Sequence, residues 1–233
     1  MRLAIIVPVL NRASSIERSL QALAPLRRHG HRVIVVDGGS RDDSAARARD
    51  LADRVILAPR GWSYQANAGS RVAEAEHADV LVFLPDTVRL PADADRAILR
   101  AIANSRSPWG RFDIHYACAQ GARGSWWLAS RLANACARLT GICTREQALF
   151  VARSAFLALD GFSTQDRAAD MEFCERARLL GAPIVLPQPV QVPAPSAGAL
   201  RLARAMLRRE TERLCRAAGF PLAAPDEYFR AWL

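Results

Sequence analysis

The sequence contains no lysine. All 32 basic residues are arginines, and with 23 acidic residues they give a net charge of +9. Arginine can hold a phosphate group through two parallel hydrogen bonds, whereas lysine offers a single point charge. We therefore expect a surface that attracts phosphates, and nucleotides, nucleic acids and anionic membranes all stay open as partners at this point.

The sequence also lacks the signs of secretion and of membrane insertion. None of its five cysteines is spaced as C-x-x-C, which favours buried, reduced thiols in a cytosolic protein. No apolar run approaches the ~20 residues of a membrane span, and the N-terminal apolar run is too short for a signal peptide. We predict a cytoplasmic protein, and leave open a peripheral location at the inner membrane surface.

Two glycine-rich nucleotide fingerprints are absent as well. No G-x-G-x-x-G follows the first apolar run, and no G-x-x-x-x-G-K-[ST] occurs anywhere. The first absence argues against a dinucleotide-dependent dehydrogenase, and the second argues against a P-loop enzyme.

What is present is an alternation of short apolar runs with helical segments. The runs cover 3–7, 32–36, 55–57 and 80–84. Runs without polar alternation are typical of strands buried on both faces of a parallel sheet, so this half predicts a doubly wound α/β sheet.

The second half predicts further strands and helices. We expect strands over 109–114 and 147–151, a helix over 125–139, short extended pieces over 183–195 and an arginine-rich helix over 198–218. We predict one domain, with a nucleotide-binding half (1–105), an acceptor half (106–198) and a C-terminal helical segment (199–233).

Carboxylates follow two of the predicted strands at the point where each ends. Asp37 closes the second strand before Gly38, and Asp86 follows the fourth. The carboxyl ends of parallel strands are where open α/β sheets bind ligands. Two such carboxylates suit a nucleotide ribose or base and a divalent metal on a diphosphate.

Three serines stand where a helix N-terminus is expected. Ser14 with Glu17 and Ser40 with Asp43 resemble capping boxes, and Ser154 precedes a short apolar run. A serine at this position accepts a hydrogen bond from a free backbone N–H of the first turn. We predict that each serine caps the helix that follows it.

Six motifs in order resemble the family-2 inverting glycosyltransferases with the GT-A fold. More narrowly, the chain is similar to small bacterial glycosyltransferase-like proteins associated with radical-SAM/selenodomain genes. The motifs are IIVPVLN at 5–11, VVDGGS at 35–40, PRG and QANAG at 59–69, WGRFD at 109–113, LTGI and QALF at 139–150, and GF with DME at 161–172.

The resemblance implies a fold and a reaction. The fold would be a Rossmann-like, mostly parallel sheet flanked by helices, with a smaller mixed acceptor half and C-terminal helices. The reaction would move a sugar of hexosyl type from a nucleoside-diphosphate sugar to an acceptor hydroxyl. The acceptor is open, and a lipid-linked one would suit contact with the membrane.

The resemblance also implies a role for each matching residue. Asp170 would be the general base, and Asp86 would bind Mg²⁺ or Mn²⁺. The donor would contact Pro8, Asn11, Asp37, Gly38, Arg60, Gln65 and Asn67. The acceptor side would hold Trp109, Arg111, Asp113 and Gln147. For Asn67 and Gly69, a role in helix packing is an equal alternative.

The sequence departs from the family pattern at three acidic positions, the mildest being Glu146, where the family usually has an aspartate before the glutamine. Asp86 stands where the family has a spacer, unless the chain slips by one residue after Leu84. The acid that commonly precedes the general base is Ala169 here. A weakened or inactive transferase therefore stays open, beside a sugar-phosphate nucleotidyltransferase and a basic protein that binds membrane or, less favoured, nucleic acid.

Overall fold

The structure is a computed structural model, and it describes residues 1–118, 123–165, 168–195, 198–199 and 201–202. The predicted helix over 198–218 and the C-terminal segment lie almost wholly outside the described residues. The strands are β1 (Leu3–Val9), β2 (Arg32–Asp37), β3 (Arg54–Leu57), β4 (Val80–Phe83), β5 (Trp109–Ala117), β6 (Phe150–Ala152) and β7 (Ile184–Pro193). The helices are α1 (Ile16–Gln21), α2 (Ala24–Arg28), α3 (Ser44–Ala48), α4 (Trp62–Ala75), α5 (Ala94–Asn104), α6 (Arg123–Thr140), α7 (Arg153–Ala158) and α8 (Ala169–Ala177), with 3₁₀ turns at Arg145–Gln147 and Arg178–Leu180.

One seven-stranded sheet runs through the described chain in the order β3-β2-β1-β4-β6-β5-β7. Pairing is parallel between β1 and β2, β1 and β4, β2 and β3, and β5 and β7, and antiparallel on both sides of β6. The predicted mostly parallel α/β sheet is confirmed. The chain moves from β1 outward to β3 and then returns to the other side of β1, so the strand order reverses between β1 and β4.

The central strands are apolar because both of their faces are covered. Ile5 and Val7 of β1 pack into one hydrophobic cluster, and Ala4 and Ile6 pack into the other. The first cluster includes side chains of α1, α2, α3, α5 and α6, and the second includes those of α4, α7 and α8. This two-sided burial explains the continuous apolar runs.

Helix α4 approaches β1 closely at Gly69. A Cβ added there would lie 2.5 Å from Cγ2 of Ile6 and 3.1 Å from Cγ2 of Val36. Because the interior is tightly packed, Gly69→Ala should destabilise the protein by roughly 1–3 kcal/mol. The measurement is urea unfolding. Arg71→Ala, at an exposed position of the same helix, is the control and should stay within about 0.5 kcal/mol of wild type. Equal stability of the two variants would contradict the packing described.

The three predicted serine caps are wrong. Helix α1 begins after Ser15, α3 begins after Asp43, and α7 begins after Ala152, and none of these residues makes a capping hydrogen bond through its side chain. Ser40 bonds instead to the carboxylate of Asp37. A nearby carboxylate competes for the hydroxyl that would otherwise cap the helix.

The second half differs from the prediction at two places. The strand predicted over 147–151 begins only at Phe150, because Gln147 belongs to the 3₁₀ turn Arg145–Gln147. The proline-rich stretch forms one strand, β7. Since β7 lies at the edge of the sheet, its prolines need not donate to a second neighbour.

A buried histidine makes the stability of the fold depend on pH. His31 accepts a hydrogen bond from the N–H of Leu3 at Nδ1 (3.2 Å), while Nε2 lies 3.3 Å from Oδ2 of Asp95. Burial lowers the pKa of His31 below its usual 6.5, although Asp95 partly opposes the shift. The fold therefore favours the neutral ring, whereas the unfolded chain takes up a proton as the pH falls below about 6.5.

Stability should consequently be greater at about pH 7.5 than at about pH 5.5, by an amount that His31→Gln removes. Urea midpoints at the two pH values, for wild type and variant, measure the effect. A wild-type midpoint that rises on acidification would contradict the assignment of a neutral His31.

Candidate functional site

The carboxyl edge of the sheet brings the predicted donor residues together. Strands β1, β2 and β4 are parallel, so their carboxyl ends share one edge. Asn11 follows β1, Asp37 ends β2 and Asp86 follows β4. The point between β1 and β4, where the strand order reverses, is the place at which open α/β sheets bind ligands.

Asp37 is a buried carboxylate at this edge, with 5% of its surface exposed. It accepts hydrogen bonds from the N–H of Ser40, at 3.1–3.2 Å, and from the Ser40 hydroxyl. A cavity of about 310 Å³ opens beside it between α3 and β3, with Arg49 and Ile56 in its lining. A larger cavity of about 550 Å³ lies between α5 and β7, and it includes none of the predicted site residues.

The loop after β1 is fixed by bonds to the loop after β2. Asn11 adopts a left-handed backbone conformation (φ 52°), which asparagine tolerates better than most residues. Its N–H donates to Ser40 Oγ at 2.9 Å, and its Oδ1 accepts from the N–H of Arg41 at 2.8 Å. The N–H of Arg12 donates to Ser44 Oγ at 2.6 Å. The position of Arg12 is therefore set by the backbone around it.

Pro8 lies within β1, paired with Val36. The β1–β4 ladder ends at the pair Ile6 and Phe83, and Ile6 O faces β4, where it accepts from the N–H of Leu84. Pro8 shares this orientation two residues on. A proline at this position therefore costs the sheet no hydrogen bond, because the pairing with β4 has already ended. Pro8 lies near the carboxyl end of β1.

The first turn of α4 lies over the ends of β1 and β2. Gln65 Nε2 donates to Val9 O at 2.9 Å and to Val36 O at 2.7 Å. A Cβ added at Gly38 would lie 3.1 Å from the Gln65 amide, so glycine suits this approach. Gln65 is buried and holds the strand ends in place, while Arg60 is exposed just before the helix.

Asn67 makes its contacts away from the strand ends. Its Oδ1 accepts from the N–H of Phe162 at 3.0 Å, and its Nδ2 donates to Phe162 O at 2.8 Å. These bonds tie α4 to the loop after α7. They supply the packing role that was the alternative for Asn67, and its contact with a donor stays a prediction.

Asp170 lies in the first turn of α8, with 8% of its surface exposed. Its Oδ2 accepts a hydrogen bond from the N–H of Arg145 at 2.9 Å. Because β6 is antiparallel to β4, the chain just before β6 lies at the carboxyl edge of β4, where Leu149 O accepts from the N–H of Phe83. Asp170 is therefore anchored at the same edge as Asp37.

Two further contacts surround Asp170 and fix its helix and its hydrogen-bond donor, Arg145. One turn along α8, Cys174 Sγ lies 3.1 Å from Cys143 Sγ, and both thiols are buried. Burial raises the pKa of the Cys174 thiol well above its usual value, so it stays neutral. The guanidinium of Arg145 lies 5.4 Å from the centre of the Trp62 ring, at the start of α4. The acid is thus connected to the helix that covers the donor-side strands.

The four predicted acceptor-side residues are all buried. Trp109 and Arg111 have no exposed surface, because β5 is an interior strand, and Asp113 and Gln147 are nearly as buried. Trp109 Nε1 donates to Gly181 O at 2.9 Å, and Arg111 Nη1 lies 3.2 Å from Asp113 Oδ1. Burial lowers the pKa of Arg111, and Asp113 opposes the shift. Direct contact with an acceptor stays a prediction that this geometry does not support.

Asp86 does not fit a metal ion as the structure stands. The part of the chain that the structure describes holds no group of three His, Cys, Asp or Glu able to bind a metal. Asp86 Oδ2 faces Arg12 Nε at 3.1 Å. Burial raises the pKa of Asp86, and Arg12 opposes the shift. Two like unit charges about 4 Å apart near a protein surface repel by roughly 4 kcal/mol, so a divalent ion on this oxygen would compete with Arg12.

The sequence patterns missed three residues of this edge. Arg12 and Arg145 carried no motif of their own, and Ser40 was interpreted as a helix cap. The sequence feature that could have identified Arg12 is its position directly after Asn11, just past the end of the first strand.

The seven-stranded, mostly parallel sheet flanked by helices matches the GT-A fold of the glycosyltransferase structures compared below. The chain belongs to glycosyl transferase family 2, whose sequence model matches residues 4–141. No curated protein sequence matches it.

Solved structures of glycosyltransferases share the fold. The mannosyltransferase PcManGT from Pyrobaculum calidifontis, in complex with GDP-Man and Mn²⁺, has a TM-score of 0.67 at 22% identity; the match covers 96% of this chain and 66% of that protein. Glucosyl-3-phosphoglycerate synthase from Mycobacterium tuberculosis, with Mn²⁺, UDP and phosphoglyceric acid, has a TM-score of 0.61 at 16% identity, covering 95% and 80%. S. aureus TarS has a TM-score of 0.62 at 16% identity, covering 88% of this chain and 39% of TarS. The chain thus spans less than half of TarS.

Among the described residues, no helix is both long and apolar enough to cross a bilayer.

Proposed function

We propose that the chain transfers a sugar of hexosyl type from a nucleoside-diphosphate sugar to an acceptor hydroxyl, with inversion at the anomeric carbon. The observation that carries the proposal is the gathering of Asp37, the start of α4 and Asp170 at one edge of the sheet. Membership of glycosyl transferase family 2 supports it, as do the GDP-Man and UDP complexes of the structural neighbours.

The donor would lie across the carboxyl ends of β1 and β2. Asp37 would accept a hydrogen bond from the base or the ribose, and the cavity beside it has room for a base. The diphosphate would face the first turn of α4 and Arg60. A helix N-terminus offers free N–H groups and a partial positive charge to phosphate oxygens.

Asp170 would act as the general base. The acceptor oxygen attacks the anomeric carbon on the face opposite the diphosphate, and the bond between that carbon and the diphosphate oxygen breaks as the new bond forms. Asp170 takes the hydroxyl proton, and the departing diphosphate carries away the bonding electrons. Arginines and the start of α4 stabilise the charge that develops on the leaving group.

The metal dependence of this reaction has evidence on both sides. The Mn²⁺ ions of two structural neighbours support the predicted Mg²⁺ or Mn²⁺, with Asp86 as a ligand. Arg12 beside Asp86 opposes it. A bound divalent ion would add positive charge beside the diphosphate, but no step of this mechanism needs it.

The nature of the acceptor and the location of the protein in the cell are proposals that rest on the net charge of the chain. A lipid-linked acceptor at the inner membrane surface would suit a protein of net charge +9. The narrower grouping with the radical-SAM/selenodomain-associated proteins rests on the sequence motifs alone.

The test is a thermal-shift panel of UDP-, GDP-, CDP- and dTDP-sugars, each with EDTA and with Mn²⁺. A donor at about 100 times its dissociation constant should stabilise the protein by about 2.7 kcal/mol. One nucleotide should shift the melting temperature more than the others. If no nucleotide sugar shifts it under either condition, the proposal that the chain binds a nucleotide-sugar donor is wrong.

A further inference from the structure

An ion pair with one buried partner joins the two strands at the switch point. Arg12 follows β1 and Asp86 follows β4, and Arg12 Nε lies 3.1 Å from Asp86 Oδ2. The two strands are the neighbours between which the strand order reverses. The pair therefore occupies the position in the sheet where an α/β protein binds its ligand.

The two partners differ in how far they are exposed. Asp86 has 9% of its side chain exposed, whereas Arg12 has 48%. The contact is an ion pair without hydrogen-bond geometry, since Asp86 Oδ2 has no hydrogen-bond donor among the residues that the structure describes. Asp86 is thus buried, with Arg12 Nε as its nearest cationic atom. Because nearly half of the Arg12 side chain is exposed, its Nη groups can reach a second anion.

The backbone that carries this guanidinium is also fixed by hydrogen bonds to the loop after β2 and the first residue of α3. The backbone of Arg12 is fixed by its bond to Ser44 Oγ, and that of Ala13 by a bond from its N–H to Asp42 Oδ2 at 3.0 Å. The first turn of α4 reaches the end of the same strand, because Gln65 bonds to Val9 O. A diphosphate at the switch point would meet Arg12 on one side and the start of α4 on the other.

We propose that Arg12 is the resident cation of the donor site, held by Asp86, and that it binds the diphosphate of the nucleotide in place of a divalent metal ion. The inference rests on the proposed function. It reverses the predicted role of Asp86: the carboxylate binds an arginine of its own chain, and the arginine binds the phosphates bidentately.

The experiment measures binding of UDP, GDP, CDP and dTDP by calorimetry, in EDTA and in Mn²⁺, with wild type and variants. Wild type should bind one of the four, with an affinity in EDTA within about threefold of that in Mn²⁺. Arg12→Ala should weaken binding in EDTA by about tenfold to a hundredfold, the usual effect of losing a hydrogen bond to a charged group. Arg28→Ala, exposed at the opposite edge before β2, is the matched control and should leave affinity unchanged.

Two further results separate this inference from ordinary metal binding. In Arg12→Ala the freed Asp86 should bind Mn²⁺ together with the nucleotide, which restores affinity and broadens the Mn²⁺ electron paramagnetic resonance signal. Asp86→Asn removes the charge that holds Arg12 and should weaken nucleotide binding by less than about tenfold, equally in EDTA and in Mn²⁺, whereas loss of a metal ligand would weaken binding in Mn²⁺ alone. If Arg12→Ala does not fold, Asp86→Asn still tests whether Asp86 binds a metal ion or Arg12.

Opposite results would overturn the inference. Wild type that binds only with Mn²⁺, together with Asp86→Asn that does not bind, would make Asp86 a metal ligand. Arg12→Ala that binds like wild type in EDTA would remove Arg12 from the site. If no nucleoside diphosphate binds wild type under either condition, the proposed function itself is wrong, and the inference is wrong with it.

Discussion

Asp170→Asn should bind the donor as wild type does but transfer its sugar about 10²–10⁴ times more slowly, the usual contribution of a general base. The N–H of Arg145 holds one oxygen of this carboxylate, which fixes the direction of the other. Asparagine has nearly the same shape and can accept that hydrogen bond, but it cannot take a proton. The measurement is release of nucleoside diphosphate in the presence of acceptor, compared with the melting-temperature shift caused by the donor.

The control for this prediction lies on the same helix. Glu172 is also in the first turn of α8, where it forms an ion pair with Arg176. Glu172→Gln should lower the transfer rate by less than about tenfold, because no role in proton transfer is assigned to it. Transfer by Asp170→Asn at the wild-type rate would show that another group is the base.

Asp37→Ala should weaken binding of the nucleotide by about tenfold to a hundredfold, as expected for losing a charged hydrogen-bond acceptor. The carboxylate lies at the end of β2 beside a cavity, and Ser40 fixes its orientation. Calorimetry with the best nucleotide from the panel measures the loss. Asp43→Ala is the control, since Asp43 is exposed in the same loop and its side chain makes no capping bond.

Loss of the Ser40 contacts could also loosen the loop, so Asp37→Asn is the companion variant. Its remaining oxygen still accepts from Ser40, and only the charge and one acceptor are lost. Both Asp37 variants should therefore bind the nucleotide more weakly than Asp43→Ala does. Wild-type affinity in both Asp37 variants would place the nucleotide elsewhere.

The sheet could be predicted from the sequence because strands that are buried on both faces appear in it as continuous apolar runs. Residues such as Ile5 and Ile6 pack into different clusters, so the strand needs apolar side chains at every position. The position of Asp37 at the end of β2 follows from the same pattern. The mostly parallel α/β architecture rests on these runs and on the helical segments between them.

The site was less predictable because its contacts join distant parts of the chain. The ion pair of Arg12 with Asp86 forms only because β1 and β4 are neighbours in the sheet, and no local pattern reports that adjacency. Ser40 looked like a helix cap, but its hydroxyl bonds to Asp37. Trp109 and Arg111 carry a family motif, yet β5 is interior and buries both side chains.

The most direct test of the account is calorimetric titration of wild type with the nucleotide sugar that stabilises it most. We expect one bound donor per chain, displaced by the matching nucleoside diphosphate, and at least tenfold weaker binding to Asp37→Ala. Absence of saturable binding, or binding to Asp37→Ala with wild-type affinity, would contradict a nucleotide-sugar site at the carboxyl edge of this sheet.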